Sequence, residues 1–314
     1  MTVKRIAFLG SGKMLMEIIK IVRFSNEFKI CGVILHSDLI GRNSSPNSTR
    51  NVNAIPMCKT LEKNKIFYED MNEIKTLKHS KILQQNLDIV IVCGWYSLLP
   101  RDIFNQTNVF GLHASLLPKN AGWAPLVWSI LNGEEKTGIT LFRIDEGVDT
   151  GPIIAQKEVR ISNKDNIYRL QTKIIKATKI MMKDFLDDFS RNSWTEISQE
   201  KSKRTLNARR YPTDGKIGSE MSSRTIYNFV RAQSKPYPGA FFEYKNINLY
   251  VEKVKIKNSK FSQKNSGKII IKGINVYLGS SDGWVKITKF RYKKQKFNLI
   301  KSFYRDFFQE EKGR

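Results

Sequence analysis

Two residues near the middle of the chain have the types and surroundings for acid–base chemistry. His113 stands directly after a short apolar run at residues 108–112, and Asp149 follows within Gly147-Val148-Asp149-Thr150-Gly151. In open α/β sheets, ligands bind at the carboxyl ends of the strands, which is where this histidine falls if the run is a parallel strand. A carboxylate brought beside the imidazole would orient it, tune its proton affinity, or relay a proton through water. The glycines flanking Asp149 would let the backbone approach a substrate. A hydrogen-bonded loop histidine is the plain structural alternative, and these residues alone select no reaction.

The elements that must hold this pair can be read from the apolar pattern. Residues 4–9 form a short apolar run, followed by Gly10-Ser11-Gly12 and an amphipathic stretch to Val22: a strand, a tight turn and a helix. Further runs at 29–35, 87–93, 108–112, 139–144 and 152–159 alternate with helix-like segments. That predicts a doubly wound, mostly parallel sheet. The glycine turn does not complete a dinucleotide fingerprint, because Leu15 stands where the third glycine is needed and only Asp38 lies beyond the second strand. A tight βα turn accounts for Gly10 and Gly12. The polar segment 36–53 is long enough to predict a loop at a site. Ser162 and Asp165 read as a capping box opening a helix to about Arg191, with Ile167, Leu170, Ile174, Ala177, Met181 and Phe185 on one face.

Beyond the long helix the character changes. A basic linker over 200–221 and a short helix over 222–233 lead to Pro236-Tyr237-Pro238-Gly239. From Ala240 the period becomes two, with strands predicted over 247–256, 268–271, 274–278 and 284–290. Short strands joined by turns predict a small β-barrel of OB-fold size. The expected domains are therefore 1–199, a linker 200–221, and 222–314, with a helix in the tail around 303–308.

The charge follows the same division. The chain carries 54 Lys+Arg against 29 Asp+Glu, a formal net charge of +25, and residues 201–314 alone hold +19 of it. Such a basic half suggests RNA or a phosphorylated compound as partner, with solvated lysine-rich faces as the plain alternative. The 40% hydrophobic and 11% aromatic content excludes global disorder. No run approaches the roughly 18 apolar residues that span a bilayer, and the apolar core of the N-terminus is too short for a signal peptide. Cys31, Cys58 and Cys93 lie far apart in apolar contexts, against a disulfide framework or a metal cluster. A cytoplasmic enzyme or binding protein is expected, with no metal and no membrane partner.

The block from Phe110 to Gln156 resembles the N10-formyltetrahydrofolate-dependent formyltransferases. The signature of that family is Asn-x-His followed by x-Ser-Leu-Leu-Pro, with a catalytic aspartate in a Gly-x-Asp-x-Gly loop. His113, Ser115-Leu116-Leu117-Pro118 and Asp149 match it in type and spacing. Gly94-Trp95-Tyr96-Ser97-Leu98-Leu99-Pro100 resembles the family's folate-holding loop. Arg209-Arg210, Asp214-Gly215 and Pro236–Phe241 resemble the linker and barrel entry of its longer members. The likeness spans most of residues 4–290 and is densest over 94–156.

The resemblance implies a Rossmann-like formyltransferase domain followed by an OB-like domain, and an acceptor amine attacking the formyl carbon of 10-formyltetrahydrofolate. It implies that His113 serves the developing oxyanion, while Asp149 positions His113 and helps move the amine proton. The folate would lie against Cys93, Gly94, Trp95, Tyr96, Ser97, Leu98, Ser115 and Leu116, and against the loop Arg143-Ile144-Asp145-Glu146-Gly147-Val148. The acceptor would lie near Gly10, Ser11, Gly12, Trp123 and Pro125. A purely structural Asp149 loop is the alternative.

One position departs from the signature: Gly111 stands where the family places its asparagine. Losing one such donor typically costs on the order of 100- to 1000-fold in turnover. Asn120 or an ordered water would have to substitute, or the enzyme is weak or altered. An active enzyme with substituted donors is the expectation adopted. A non-catalytic folate- or RNA-binding relative is the alternative from another class. The acceptor also divides two ways. The basic second half, and faintly Gly41-Arg42, fit initiator tRNA. The run Ala124-Pro125-Leu126-Val127-Trp128, continuing as Asn132-Gly133-Glu134, looks more like the amino-sugar branch, where Trp123 or Trp128 would stack on a sugar or base. A nucleotide-linked amino sugar is the acceptor expected.

Overall fold

The computed structural model describes residues 2–35, 39–40, 49–50, 54–74, 76–244, 247–257, 266–272, 275–292 and 295–297. Most of the segment 36–53, including Gly41-Arg42, and the tail helix expected at 303–308 lie outside the described residues. The chain divides into two compact units. The first comprises Met1–Pro125, Lys136–Arg160 and Thr172–Ala208; the second comprises Leu126–Glu135, Ile161–Gln171 and Arg209–Arg314.

In chain order the strands of the first unit are β1 (Lys4–Gly10), β2 (Phe28–Leu35), β3 (Leu39–Ile40), β4 (Thr49–Arg50), β5 (Tyr68–Asp70), β6 (Ile89–Cys93), β7 (Asn108–His113), β8 (Ala121–Gly122), β9 (Lys136–Arg143), β10 (Ile153–Arg160) and β11 (Leu206–Asn207). Seven of them form one sheet in the order β10-β9-β7-β6-β1-β2-β5. The five from β7 to β5 run parallel, while β9 is antiparallel to β7 and β10 to β9. This is the mostly parallel, doubly wound sheet that the alternating apolar runs predict. Its order reverses between β1 and β6, where such sheets open a crevice beyond the strand ends. The strands Tyr68–Asp70, Ala121–Gly122 and Leu206–Asn207 carry too few residues to show a period, and their pairing alone defines them.

Helices α1 (Lys13–Arg23), α2 (Ala54–Lys63), α3 (Met71–Ile74), α4 (Arg101–Gln106), α5 (Pro125–Leu131) and α6 (Ile167–Ser190) follow the strands. Along β7 the side chains alternate faces. Phe110 meets Phe185 of α6 edge-on at 5.0 Å and Phe189 at 6.1 Å, so the helix covers that face. Val109, on the opposite face with Gly111 and His113, joins Ala7, Leu9, Val90 and Val92 in a buried cluster. One correction concerns the start of α6. Asp165 does accept from the backbone N–H of Ser162 at 2.8 Å, but the helix opens only at Ile167, and Asn166 Oδ1 accepts from the N–H of Arg169. Asn166 is the cap; Ser162–Asp165 is a separate turn before it.

The second unit holds α7 (Ser223–Ala232), capped by Ser222, and β12 (Ala240–Tyr244), β13 (Ile247–Lys257), β14 (Ile269–Lys272), β15 (Asn275–Gly279), β16 (Trp284–Tyr292) and β17 (Gln295–Phe297). The strands form an antiparallel half-barrel in the order β12-β13-β16-β15-β14, with β17 on the end of β16. Ile226, Phe229 and Val230 of α7 pack with Val251, Val254, Val276, Val285 and Ile287 in one core. The period-two pattern places those valines and isoleucines inward and the lysines between them outward.

Candidate active site

The carboxyl ends of β1, β6 and β7 lie side by side, with Gly10 opposite Cys93 and Val92 opposite Gly111. Two turns meet there, backbone against backbone. A Cβ on Gly10 would lie 1.9 Å from the Cys93 carbonyl oxygen, and one on Gly94 would lie 2.3 Å from that of Ser11. Ser11 donates its N–H to the Cys93 carbonyl at 3.1 Å. Glycine is thus required at Gly10 by close approach, as the tight turn implies. Burial pushes the Cys93 thiol up to about 12, so it is a protonated packing residue and not a nucleophile.

His113 ends β7 and is 8% exposed. Its Nε2 lies 2.7 Å from the backbone carbonyl of Asn120, and a carbonyl only accepts, so Nε2 carries the proton. The other ring nitrogen, Nδ1, faces Asp149 Oδ2 at 3.4 Å. The same Oδ2 accepts from the Gly122 N–H at 2.8 Å. The two residues singled out by spacing are therefore brought together, with the imidazole held from behind through its Nε2–H. Asn120 and Asp149 both adopt positive φ, +56° and +53°. Asn and Asp are the side-chain types that take this left-handed conformation most readily.

The surroundings of the pair are dense. Thr140, cross-strand from His113, donates to the Ser115 carbonyl at 2.7 Å and accepts from the Leu117 N–H at 3.1 Å. Gln156 Nε2 donates to Thr140 Oγ1 and to the Leu117 carbonyl. Ser115 Oγ donates to the Lys119 carbonyl at 2.7 Å, so this hydroxyl pins the turn. Leu116 packs directly over Gly138, where a Cβ would lie 2.5 Å from its side chain. Thr140 and Gln156 carry no sequence signal of their role, because their partners lie on other segments.

The space at Gly111 is filled. A Cβ there would lie 2.7 Å from both the Phe142 ring and the Ile144 side chain. Phe142 is paired with Gly111 across β7 and β9 and is 2% exposed. Apolar groups thus occupy the position that the resemblance assigns to an amide. Asn120 is buried behind His113, and its Oδ1 accepts from Asn207 Nδ2 at 3.0 Å.

Two loops flank the pair. In the first, Trp95 packs into the apolar cluster of β1, β6 and β7, while Tyr96 stacks on Trp123 with centroids 5.9 Å apart; Ser97 and Leu98 are exposed. In the second, Asp145 accepts from the Gly147 N–H and the Thr150 hydroxyl, and Val148 is exposed. Arg101, the first residue of α4, and Glu146 form an exposed ion pair between the two segments. The Arg143 side chain goes elsewhere: it pairs with Glu196, bonds Asn108 and lies over the Phe110 ring, on the face opposite His113. Pro125 opens α5, and Trp128 lies under the Arg210 guanidinium in the second unit.

In comparison with known proteins, residues 4–186 match the family described as Formyl transferase, and residues 210–307 match Formyl transferase, C-terminal domain. The chain is 34% identical over 253 residues to a methionyl-tRNA formyltransferase of Thermodesulfovibrio yellowstonii, covering 79% of this chain and 77% of that protein. It is 32% identical over 240 residues to the bifunctional polymyxin resistance protein ArnA of Wigglesworthia glossinidia brevipalpis, covering 75% of this chain but only 35% of that longer protein. Its fold is similar to the crystal structure of WlaRD, a sugar 3N-formyl transferase in the presence of dTDP and 5-N-formyl-THF. That likeness has a TM-score of 0.65 at 20% identity, over 94% of this chain and 100% of that one. Matched by sequence over most of its length and by fold as well, the chain belongs to the formyl transferase family.

Proposed function

We propose that the chain transfers a formyl group from 10-formyltetrahydrofolate to the amine of a nucleotide-linked amino sugar. The observation that carries the chemistry is the His113–Asp149 pair. With Nε2–H held by a carbonyl and Nδ1 facing Asp149 Oδ2, the carboxylate and the imidazole act as one acid–base unit for the proton that an attacking amine loses. Asp149, 3.4 Å from Nδ1, then stabilises the imidazolium. The folate, when bound, would supply the formyl group, and the proton taken from the amine would pass to its departing N10 nitrogen. The exposed apolar Leu98 and Val148, on segments bridged by Arg101–Glu146, suit one face of a flat heterocycle at the strand ends. The stacked Tyr96–Trp123 pair offers an aromatic surface for a sugar or base.

A second reading takes initiator tRNA as acceptor. It is supported by the outward face of the half-barrel, where Lys255 and Lys286 pair across strands and Tyr277 continues the row. Formyl transfer to dTDP- or UDP-linked amino sugars and to methionyl-tRNA, measured side by side, separates the two. Transfer to the sugar is expected, and His113→Ala should reduce it by about 100-fold or more. A background rate with every amine tried would sink the enzyme reading altogether.

A further inference from the structure

Residues 200–207 read in sequence as the start of a basic linker, yet with Gln199 just before them they bond the two loops that carry Asn120 and Asp149. Gln199 Nε2 donates to the carbonyls of Asp149 at 2.9 Å and Gly151 at 2.7 Å. Arg204 Nη2 donates to the Val148 carbonyl at 2.7 Å. Thr205 Oγ1 accepts from the Asn120 N–H at 2.8 Å, and Thr205 also exchanges backbone hydrogen bonds with Pro118 and Ala121. Leu206 and Asn207 then pair in parallel with Ala121 and Gly122, and the Asn207 amide bonds Asn120.

These contacts fall on two short loops. One supplies the carbonyl that holds the His113 Nε2–H and the N–H that holds Asp149. The other carries Asp149 itself. Both turn through a non-glycine residue at positive φ, Asn120 and Asp149, of the two types that adopt it most readily. Loops hold catalytic geometry less well than strands do, and a displacement of about 1 Å is worth roughly 100-fold in rate.

We propose that residues 199–207 form a positioning strap for the His113–Asp149 pair. Thr205 and Asn207 act through Asn120, and Gln199 and Arg204 act through the Asp149 loop. The activity readout of this proposal rests on the formyl-transfer reading, so a second readout is independent of it: the NMR signal of the His113 Nε2 proton, protected by its bond to the Asn120 carbonyl. Thr205→Val keeps the side-chain shape and removes the acceptor; Thr205→Ser keeps the acceptor. The Val variant is expected to lose or shift the His113 signal, and to lower kcat about 10- to 100-fold with KM for the folate changed less than about threefold. The Ser variant should retain both. If Thr205→Val does not fold, Gln199→Leu takes its place, and an altered His113 signal with lowered kcat is again the expected result. An unchanged His113 signal and unchanged kcat in the folded variant would overturn the strap. Absence of formyl transfer in the wild type would overturn the functional reading, while the His113 signal would still decide the strap.

Discussion

At the scale of single residues, the site turns on which groups face one imidazole. The carbonyl of Asn120 and the carboxylate of Asp149 address its two nitrogens separately, so Nε2–H is held on one side and Nδ1 faces an acceptor on the other. Side-chain types and spacing were enough to single out both members of the pair. Gly111 stood out only through the family resemblance, which does not say what stands over it. Cross-strand neighbours such as Phe142 depend on register, and a single sequence does not specify the register of β7 against β9. The filled space carries a prediction. Gly111→Asn is expected not to raise turnover, because its Cβ would already meet Phe142 and Ile144 at 2.7 Å. Overpacking there should lower stability by about 1–3 kcal/mol. Thermal unfolding and single-turnover transfer check both parts, and a Gly111→Asn enzyme that is faster and no less stable would show that the apolar filling gives way.

At the scale of elements, legibility followed length. Strands of five or more apolar residues, and α6 with its regular apolar face, stood out because burial repeats along them. The two-residue strands Ala121–Gly122 and Leu206–Asn207 have no period to read, although they join the site to residues more than 80 positions away. The capping box at Ser162 misled for a related reason: the local pattern fits a helix start, and the turn it makes stops short of one. The glycine turn after β1 is the opposite case, where a short pattern had a physical cause. Its glycine is fixed by the Cys93 carbonyl at the meeting of β1 and β6. Gly10→Ala combines that clash with a φ of +129°, and is expected to destabilise the fold by more than about 3 kcal/mol. Gly12, whose Cβ would meet nothing within 4 Å, serves as the comparison at positive φ. Denaturant unfolding of the two alanine variants should separate close approach from backbone preference, and equal losses would remove the close-approach argument.

At the scale of the molecule, the charge and the chemistry occupy different parts of the chain. Most of the +25 lies beyond residue 200, whereas His113 and Asp149 sit in the near-neutral half. Part of the apparent basic linker proves to be structural, since Arg204 bonds carbonyls of the Asp149 loop instead of remaining free for a polyanion. The outward face of the half-barrel carries further cations, with Lys255 beside Lys286 and Tyr277. Under the tRNA reading, this face would hold the phosphate backbone through counterion release, with a salt slope of about 0.7 to 0.9 per phosphate contact. On that reading, replacing both lysines, as Lys255→Glu with Lys286→Glu, is expected to weaken tRNA binding and to reduce its log–log salt slope by about 1.4 to 1.8. Formyl transfer to a nucleotide-linked amino sugar should stay within about twofold of wild type, because two charges on a solvated face change that reaction little. Filter binding across a salt series and initial rates on the sugar acceptor measure the two effects in one preparation. If transfer to methionyl-tRNA exists and falls with the binding, while the sugar is not a substrate, the charge belongs to the acceptor and the tRNA reading replaces the sugar one.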